Sequence, residues 1–349
     1  MMKLLPYYLL MILCCAGLIS CEHRVLVDLN DKHYVRVYLD EQIRNVTFGF
    51  YNPQYSHPEY RRPQALRVSL ASQNTGKVQF ETVLRNYGSD ERGTYMDGYI
   101  AALAGDYHMI INELGSSVTQ IDNTSDYYGI TAYTDPISER MLAYLPVISD
   151  DIDLERTVVE PEHLMAAKCD NVSIPRSIAV DTLRNENGNY FTAQTIAKSY
   201  YLQLRIKGVE WVHAAAAVLS GMSGSFKMGL QEGIVTTDPV NLFFIMNYAE
   251  KKRNSSDEVY TAILNTTFTT FGKIEDLASV LYLNFEFTKN DGTTQVESID
   301  ITDVFKTPMA IENQWLLLDK EIVITEPTGT GGVVPGVEGW KDIEADIIM

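Results

Sequence analysis

The sequence predicts an all-β protein. About a dozen short segments show strand patterns, and turn-forming residues recur about every ten positions. Tyrosine is also abundant, with 21 residues against 3 tryptophans, and aromatic and β-branched side chains favour strands over helices. Short strands at this spacing are typical of β-sandwiches.

The first half opens with a clear strand pattern at 33–39. Val35 and Val37 alternate there with Tyr34, Arg36 and Tyr38, and a period of two predicts a half-buried strand. The turn-rich segment 86–97 predicts a loop, and 160–168 is the one helix-like piece of this half. Further strands are predicted at 45–51, 66–71, 77–84, 100–112, 118–121, 128–134 and 171–180.

The second half has the most regular alternation of the chain, at 200–207. The alanine-rich segment 211–219 is also predicted to be a strand, which 220–224 ends. In 280–288, Phe285 and Phe287 are predicted to face inward and Glu286 outward. A charged loop is predicted at 250–258. The remaining predicted strands are 241–248, 259–271, 294–301, 320–325 and the tail 340–349.

A chain of 349 residues is too long for one comfortable core, so two domains are expected. The run of turn formers at 185–189 is the preferred boundary. This division gives a leader at 1–20, a first domain at 21–188 and a second domain at 189–349.

The N-terminus has the layout of an exported lipoprotein. Lys3 precedes an apolar run that continues to Ile19, and Ser20 precedes Cys21. This layout is typical of a secretory signal, and it resembles the bacterial lipobox, whose cysteine becomes the acylated first mature residue. An ordinary signal peptide is the alternative, and Pro6 and the short run disfavour a spanning helix.

The net charge of −18 argues against binding to nucleic acid or to anionic lipid. Membrane attachment is therefore expected only through acyl chains on Cys21. Without Cys14 and Cys15, which lie in the leader, Cys169 is the only other cysteine. No internal disulfide is expected, and a structural role for Cys169 is favoured over a nucleophilic one.

Few motifs suggest chemistry, and no enzymatic activity, cofactor or metal is predicted. The string 221–225 resembles a nucleophile elbow around Ser223, with His213 nearby, but its fifth residue is serine. Asp150, Asp151 and Asp153 lack the glycine of a calcium loop. Paired carboxylates for sugar hydrolysis remain open. Five tyrosines could form an adhesive or sugar-stacking surface, although packed rings are the favoured interpretation: Tyr87, Tyr95, Tyr99, Tyr127 and Tyr128.

Four sets of segments carry recognisable motifs: 21–24, 103–112, 200–209 with 215–222, and 331–340. Together these segments resemble the fimbrillin-like lipoproteins of Bacteroidetes, near the anchor or minor subunits of type V pili. Proteins of this family usually carry Asp-Trp in the region of the first strand, whereas this chain has Tyr38, Leu39 and Asp40 there. In addition, 181–183 resembles the short O-glycosylation site of exported Bacteroidetes proteins, with Thr182 as acceptor.

The resemblance implies two tandem transthyretin-like Greek-key sandwiches and an outer-membrane lipoprotein exposed at the cell surface. It also implies a role in fimbrial anchoring, assembly and adhesion, with other fimbrial subunits bound by β-strand addition. The tail 340–349 is expected to close its own domain rather than to be donated. A surface glycan-binding lipoprotein and an exported hydrolase are the alternative functions.

Overall fold

The computed structural model describes residues 32–41, 61–145, 147, 153–176, 181–229, 234–235, 239–253, 260–274 and 280–327. These residues form an all-β fold, which confirms the predicted class. Within these described ranges there are two short α-helices, α1 (Glu139–Leu142) and α2 (Pro308–Asn313). The strands are β1 (Lys32–Leu39), β2 (Ala65–Ser72), β3 (Val78–Leu84), β4 (Asn86–Asp90), β5 (Gly93–Ala101), β6 (Gly105–Leu114), β7 (Thr119–Asp122), β8 (Thr131–Thr134), β9 (Thr157–Val158), β10 (Met165–Ile174), β11 (Phe191–Thr195), β12 (Lys198–Lys207), β13 (Val212–Ser223), β14 (Ser225–Lys227), β15 (Ile234–Val235), β16 (Pro239–Ile245), β17 (Asn247–Arg253), β18 (Tyr260–Thr270), β19 (Tyr282–Lys289), β20 (Thr294–Asp300) and β21 (Trp315–Val323).

An eight-stranded sheet in the order β3-β2-β6-β10-β11-β1-β5-β4 dominates the first half. The sheet curls, so that β3 approaches β5 and the Thr82 hydroxyl donates to the Tyr99 carbonyl over 2.9 Å. Alternate residues of its strands, including Val35 and Val37, form one buried cluster inside the curl. The strand period therefore supplies the core face directly.

Two sheets of the second half face each other across a shared core. One sheet has the order β17-β18-β12-β21 and the other β20-β19-β13-β16-β9. Buried side chains from both sheets form one cluster, in which the rings of Phe244 and Phe268 stack with centroids 4.8 Å apart. This layered arrangement explains the alternation at 200–207, since only one side of β12 faces this core.

Several contacts join the two halves of the sequence. The strand β11 begins after the predicted 188/189 boundary, yet it pairs with β1 and β10 of the first half. Conversely, β9 pairs with β16, and β14 pairs with β8. The segment around α1 also packs on the outer face of β13 and β16, where Leu145 contacts Val218 and Phe243 in a small cluster.

Several local predictions are wrong. The alanine-rich strand does not end before 220–224 as predicted, since β13 continues to Ser223. The helix predicted at 160–168 is absent, since 165–168 lies in β10 and pairs with β6. The predicted loop at 86–97 is the β4–β5 hairpin, and residues 250–253 belong to β17. Glu286 is fully buried rather than exposed, and the backbone N–H of Val147 donates to its carboxylate over 2.9 Å. At these positions the structure depends on strand pairing and on packing between the two halves of the sequence.

Some predictions lie outside the described residues. These include the lipobox with Cys21, the strands at 45–51 and 340–349, and the glycine-rich motif in 331–340. The predicted boundary turn at 185–189 is described and is indeed a turn, with Asn185 Oδ1 accepting from the backbone N–H of Asn187 and of Asn189. Its role as a domain boundary stays a prediction. No helix in the described part of the chain has the length and apolar character of a membrane span.

Candidate functional site

The outward faces of β1 and β5 form a surface of aromatic and charged side chains. The antiparallel register places Tyr34 beside Tyr99, Arg36 beside Asp97, and Tyr38 beside Tyr95. Cross-strand partners project from the same side of a sheet, while Val35 and Val37 point into the core. We call this surface, together with Asp90 and Tyr190, the Arg36 face.

Arg36 lies at the centre of the Arg36 face. Its guanidinium carbon is 3.9 Å from the centroid of the Tyr95 ring, which is a cation–π distance. One terminal nitrogen forms an ion pair with Asp90 at 3.0 Å, and the other donates to the Tyr34 hydroxyl over 3.1 Å. The arginine therefore joins three strands of the sheet and fixes the positions of the surrounding rings.

Carboxylates hold two of the tyrosine hydroxyls. Tyr34 donates to Asp97 Oδ2 over 2.6 Å, and Tyr38 donates to Asp90 Oδ2 over 2.6 Å. The pKa of Tyr34 is raised to about 12, mainly by burial and to a smaller extent by the hydrogen bond to Asp97. The hydrogen bond from Tyr38 is the main reason that the pKa of Asp90 is lowered. Both tyrosines are therefore neutral hydrogen-bond donors at physiological pH.

Tyr190 extends this surface toward two more arginines. The guanidinium carbon of Arg36 is 5.3 Å from the Tyr190 centroid, that of Arg184 is 4.0 Å away and that of Arg92 is 5.9 Å away. Arg92 and Arg184 are exposed, and Arg184 also donates to the Gly188 carbonyl of the neighbouring turn. Three cations thus surround one half-exposed ring.

The five predicted surface tyrosines lie in three different places. Tyr95 and Tyr99 belong to the Arg36 face, and 56% of Tyr99 is exposed. Tyr87 donates to the Pro63 carbonyl. Tyr127 is buried and Tyr128 is exposed; both contact His108. Tyr34, Tyr38 and Tyr190 were not among the predicted surface tyrosines, although the alternation of β1 places the first two on a common side of the strand.

The His108 cluster has its own hydrogen bonds. The rings of His108 and Tyr127 stack with centroids 4.5 Å apart, and the Tyr128 hydroxyl lies 2.9 Å from His108 Nε2. Tyr127 donates to Asp170 over 2.5 Å. Burial is the main cause that raises the pKa of Tyr127. Both tyrosine hydroxyls therefore have hydrogen-bond partners within the cluster, as expected for packed tyrosines.

The string at 221–225 forms a β-bulge. The strand β13 continues through Ser223, and its register shifts between Leu219 and Met222. Gly221 has φ +77° at this shift, a backbone conformation that glycine adopts without steric cost. The Ser223 hydroxyl is buried and donates to the Ser225 carbonyl over 2.7 Å, whereas His213 is exposed. This geometry differs from a strand–turn–helix nucleophile elbow.

A buried hydrogen-bond chain lies where the segment before β10 meets β12 and β18. His163 Nε2 is 2.7 Å from the Ser199 hydroxyl, which is 2.9 Å from the Thr269 hydroxyl. His163 Nδ1 faces Thr195, 3.2 Å away. Burial lowers the pKa of His163 to about 4, so the imidazole is neutral. Ser199 is 4% exposed, so its hydroxyl is shielded from solvent, whereas His163 is half-buried.

Glu160 lies beside this chain. Its carboxylate accepts from the backbone N–H of Thr269 over 2.6 Å. Burial raises its pKa to about 8. Neither Glu160 nor His163 was predicted as part of a site, because the groups that bury them come from strands distant in the sequence.

Thr182 and Cys169 are the remaining described residues of interest from the sequence. Thr182 is half-buried and forms a parallel bridge with Tyr34, so its backbone lies alongside β1. The Cys169 thiol donates to the Asn171 carbonyl over 3.2 Å, and burial raises its pKa. Among the described residues, no group of three or more His, Cys, Asp or Glu side chains is arranged to hold a metal ion.

Sequence comparison defines the class of this protein. The family described as "Domain of unknown function (DUF5119)" matches residues 61–244, which is more than half of the chain. The chain belongs to this family. The match covers most strands of the first half and continues into β16.

Individual relatives are fimbrial and adhesive proteins of Bacteroidetes. Fim4B of Bacteroides ovatus, named as a candidate fimbrium anchoring subunit, is 21% identical over 283 residues, covering 73% of this chain and 80% of the relative. The crystal structure of a candidate adhesin from Bacteroides ovatus is 19% identical, with a TM-score of 0.56 over 89% of this chain and 98% of the adhesin.

The fimbrial anchor protein Mfa2 from Porphyromonas gingivalis is 12% identical, with a TM-score of 0.45 over 84% of this chain and 90% of Mfa2. The adhesin shows that the fold is shared. The predicted resemblance to fimbrial proteins of Bacteroidetes is confirmed.

Proposed function

We propose that this protein is an anchor or minor subunit of a fimbrium, acting in pilus assembly and cell adhesion at the cell surface. The observation that carries the proposal is the similarity to Fim4B, which extends over 73% of the chain. The fold shared with the Bacteroides ovatus adhesin supports it.

The finer architecture of the proposal is two tandem transthyretin-like Greek-key sandwiches, divided near 188/189. The two large hydrophobic clusters support this division, since one draws on residues up to Ala193 and the other mainly on residues from Leu202 onward. The contacts of β9 and β14 with the opposite half then serve as the interface between the two domains.

Partner subunits would bind by strand addition. Among the described strands, β21 pairs only with β12, so β21 is an edge strand of its sheet. Edge strands present backbone N–H and C=O groups to an incoming strand. The tail 340–349 follows β21 in the chain, and we retain the prediction that this tail closes its own domain.

Attachment to the outer membrane is proposed to occur through acyl chains on Cys21. The apolar run before this residue and the acidic chain support this assignment, because a chain of charge −18 offers little electrostatic attraction to anionic lipid. O-glycosylation of Thr182 is a further proposal, supported by its half-exposed side chain on the first domain.

The anchor proposal is tested in cells that carry Cys21→Ala, with Cys169→Ala as the matched control. The Cys21 variant should appear in the medium without acyl mass, and fimbriae should detach from the cells with it. The control should remain on the membrane with its fimbriae. Unchanged membrane retention of the Cys21 variant would refute the lipid anchor, and retention of fimbriae by cells lacking the protein would refute the anchoring role.

Strand addition is tested separately by deleting 340–349. Self-closure predicts a lower melting temperature for the variant, because the second domain would lose a strand. An unchanged melting curve combined with failed pilus assembly would instead show that the tail is donated to a partner.

A further inference from the structure

We propose that the Arg36 face, with Arg92 and Arg184, is a binding site for acidic saccharides. This inference does not depend on the fimbrial role, because it rests on the geometry and charge of one sheet surface.

The rings of this surface are held in place before any ligand arrives. Tyr38 contacts Tyr95 and Tyr190 edge-to-face, with centroids 5.6 and 5.7 Å apart. Tyr34 contacts Tyr99 in the same way at 5.6 Å. Rings fixed by neighbours lose little entropy on binding. Their apolar faces suit the C–H faces of sugar rings, and their polar edges suit sugar hydroxyls.

Gly88 of β4 supports this arrangement. A Cβ atom at this position would lie 2.3 Å from Cζ of the Tyr95 ring, so the ring lies directly against the glycine backbone. The guanidinium carbon of Arg36 lies 3.9 Å from the centroid of the same ring. The sheet surface is therefore a shallow platform, which fits a saccharide better than the side chains of a peptide.

The charge of the site points to an acidic ligand. Arg36 is paired with Asp90, and Asp97 accepts from Tyr34. Among the described residues, neither Arg92 nor Arg184 forms an ion pair with a carboxylate. Arg184 and Arg92, the second of which lies near the Asp90 carboxylate, thus place positive charge beside one tyrosine ring in a chain of charge −18.

The chemistry of arginine defines the ligand further. A guanidinium matches a carboxylate or sulfate through two parallel N–H donors. A saccharide carrying such a group could stack on the Tyr190 ring and place its acid between Arg92 and Arg184. A neutral saccharide would keep the stacking but lose both charge-assisted contacts, so the acid group determines specificity.

The test is a titration of the full chain in detergent with trigalacturonate, its fully methyl-esterified form and a chondroitin sulfate tetrasaccharide. We expect at least one acidic probe to bind, with an affinity that falls as salt rises. The esterified probe should bind about tenfold more weakly than trigalacturonate if that acid is the better ligand, because charge-assisted hydrogen bonds are lost. Absence of binding by both acidic probes overturns the proposal.

Variants locate the site. The double variant Arg92→Gln/Arg184→Gln should weaken acidic binding by about tenfold or more, whereas Arg205→Gln, an exposed arginine of β12, should not change it. Tyr190→Ala should weaken it as well, with the exposed Tyr282→Ala as control. An equal loss of saccharide affinity in the test and control variants would refute the placement of the site on the Arg36 face. Defective pilus assembly in the double variant without any saccharide binding would mark this surface as a subunit contact instead.

Discussion

Glu160 makes the stability of the protein depend on pH in a way that one substitution removes. Burial raises its pKa from 4.5 to about 8, so between these values the folded chain keeps a proton that the unfolded chain has released. The contribution of Glu160 to the free energy of unfolding is therefore fully present below pH 4.5, and it is lost as the pH rises through about 8. The Glu160→Gln variant keeps an acceptor for the Thr269 N–H but cannot titrate.

The magnitude follows from the size of the pKa shift. Each pKa unit corresponds to about 1.4 kcal/mol, so the wild type should lose about 5 kcal/mol relative to Glu160→Gln across this pH range. His163 acts in the opposite direction, because its pKa is lowered from 6.5 to about 4; stability from this group rises with pH and is complete above 6.5. Both proteins contain His163, so its contribution cancels in the difference.

Urea unfolding at a series of pH values measures this difference. The exposed Glu155→Gln is the matched control, and its curve should run parallel to the wild type. Glu113, whose pKa burial raises to about 7, is also common to all three proteins and cancels. Parallel curves for the wild type and Glu160→Gln over the whole range would show that Glu160 ionises normally in the folded chain, and the reasoning would be wrong.

Three further predictions concern packing and the Arg36 face. Phe244→Ala should destabilise the chain by about 3–5 kcal/mol, measured by urea unfolding, because it opens a cavity in the shared core. Gly88→Ala should cost about 1–3 kcal/mol, because the new methyl group collides with the Tyr95 ring; an unchanged midpoint would contradict the close approach. Asp97→Asn should lower the pKa of Tyr34, measured by ultraviolet titration, because the charged acceptor is lost.

Much of the candidate surface could be predicted from local patterns. The alternation in β1 places Tyr34, Arg36 and Tyr38 on one side of a strand, and the turn at 185–189 places Tyr190 near a chain reversal. The partner strand could not be predicted. That β5 lies beside β1 depends on pairing between segments about sixty residues apart, and local sequence carries no signal for such pairing.

Local patterns predicted the all-β class, most strand positions and the inward-facing Phe285 and Phe287 of β19, because side chains alternate with the strand period whatever the neighbours are. Contacts between distant segments account for the rest. Residues 165–168 form a strand because β6 offers them hydrogen-bond partners, and Glu286 is buried because a distant segment covers it. The raised pKa of Glu160 likewise exists only where β18 closes over the carboxyl group, since desolvation depends on surrounding atoms rather than on adjacent residues.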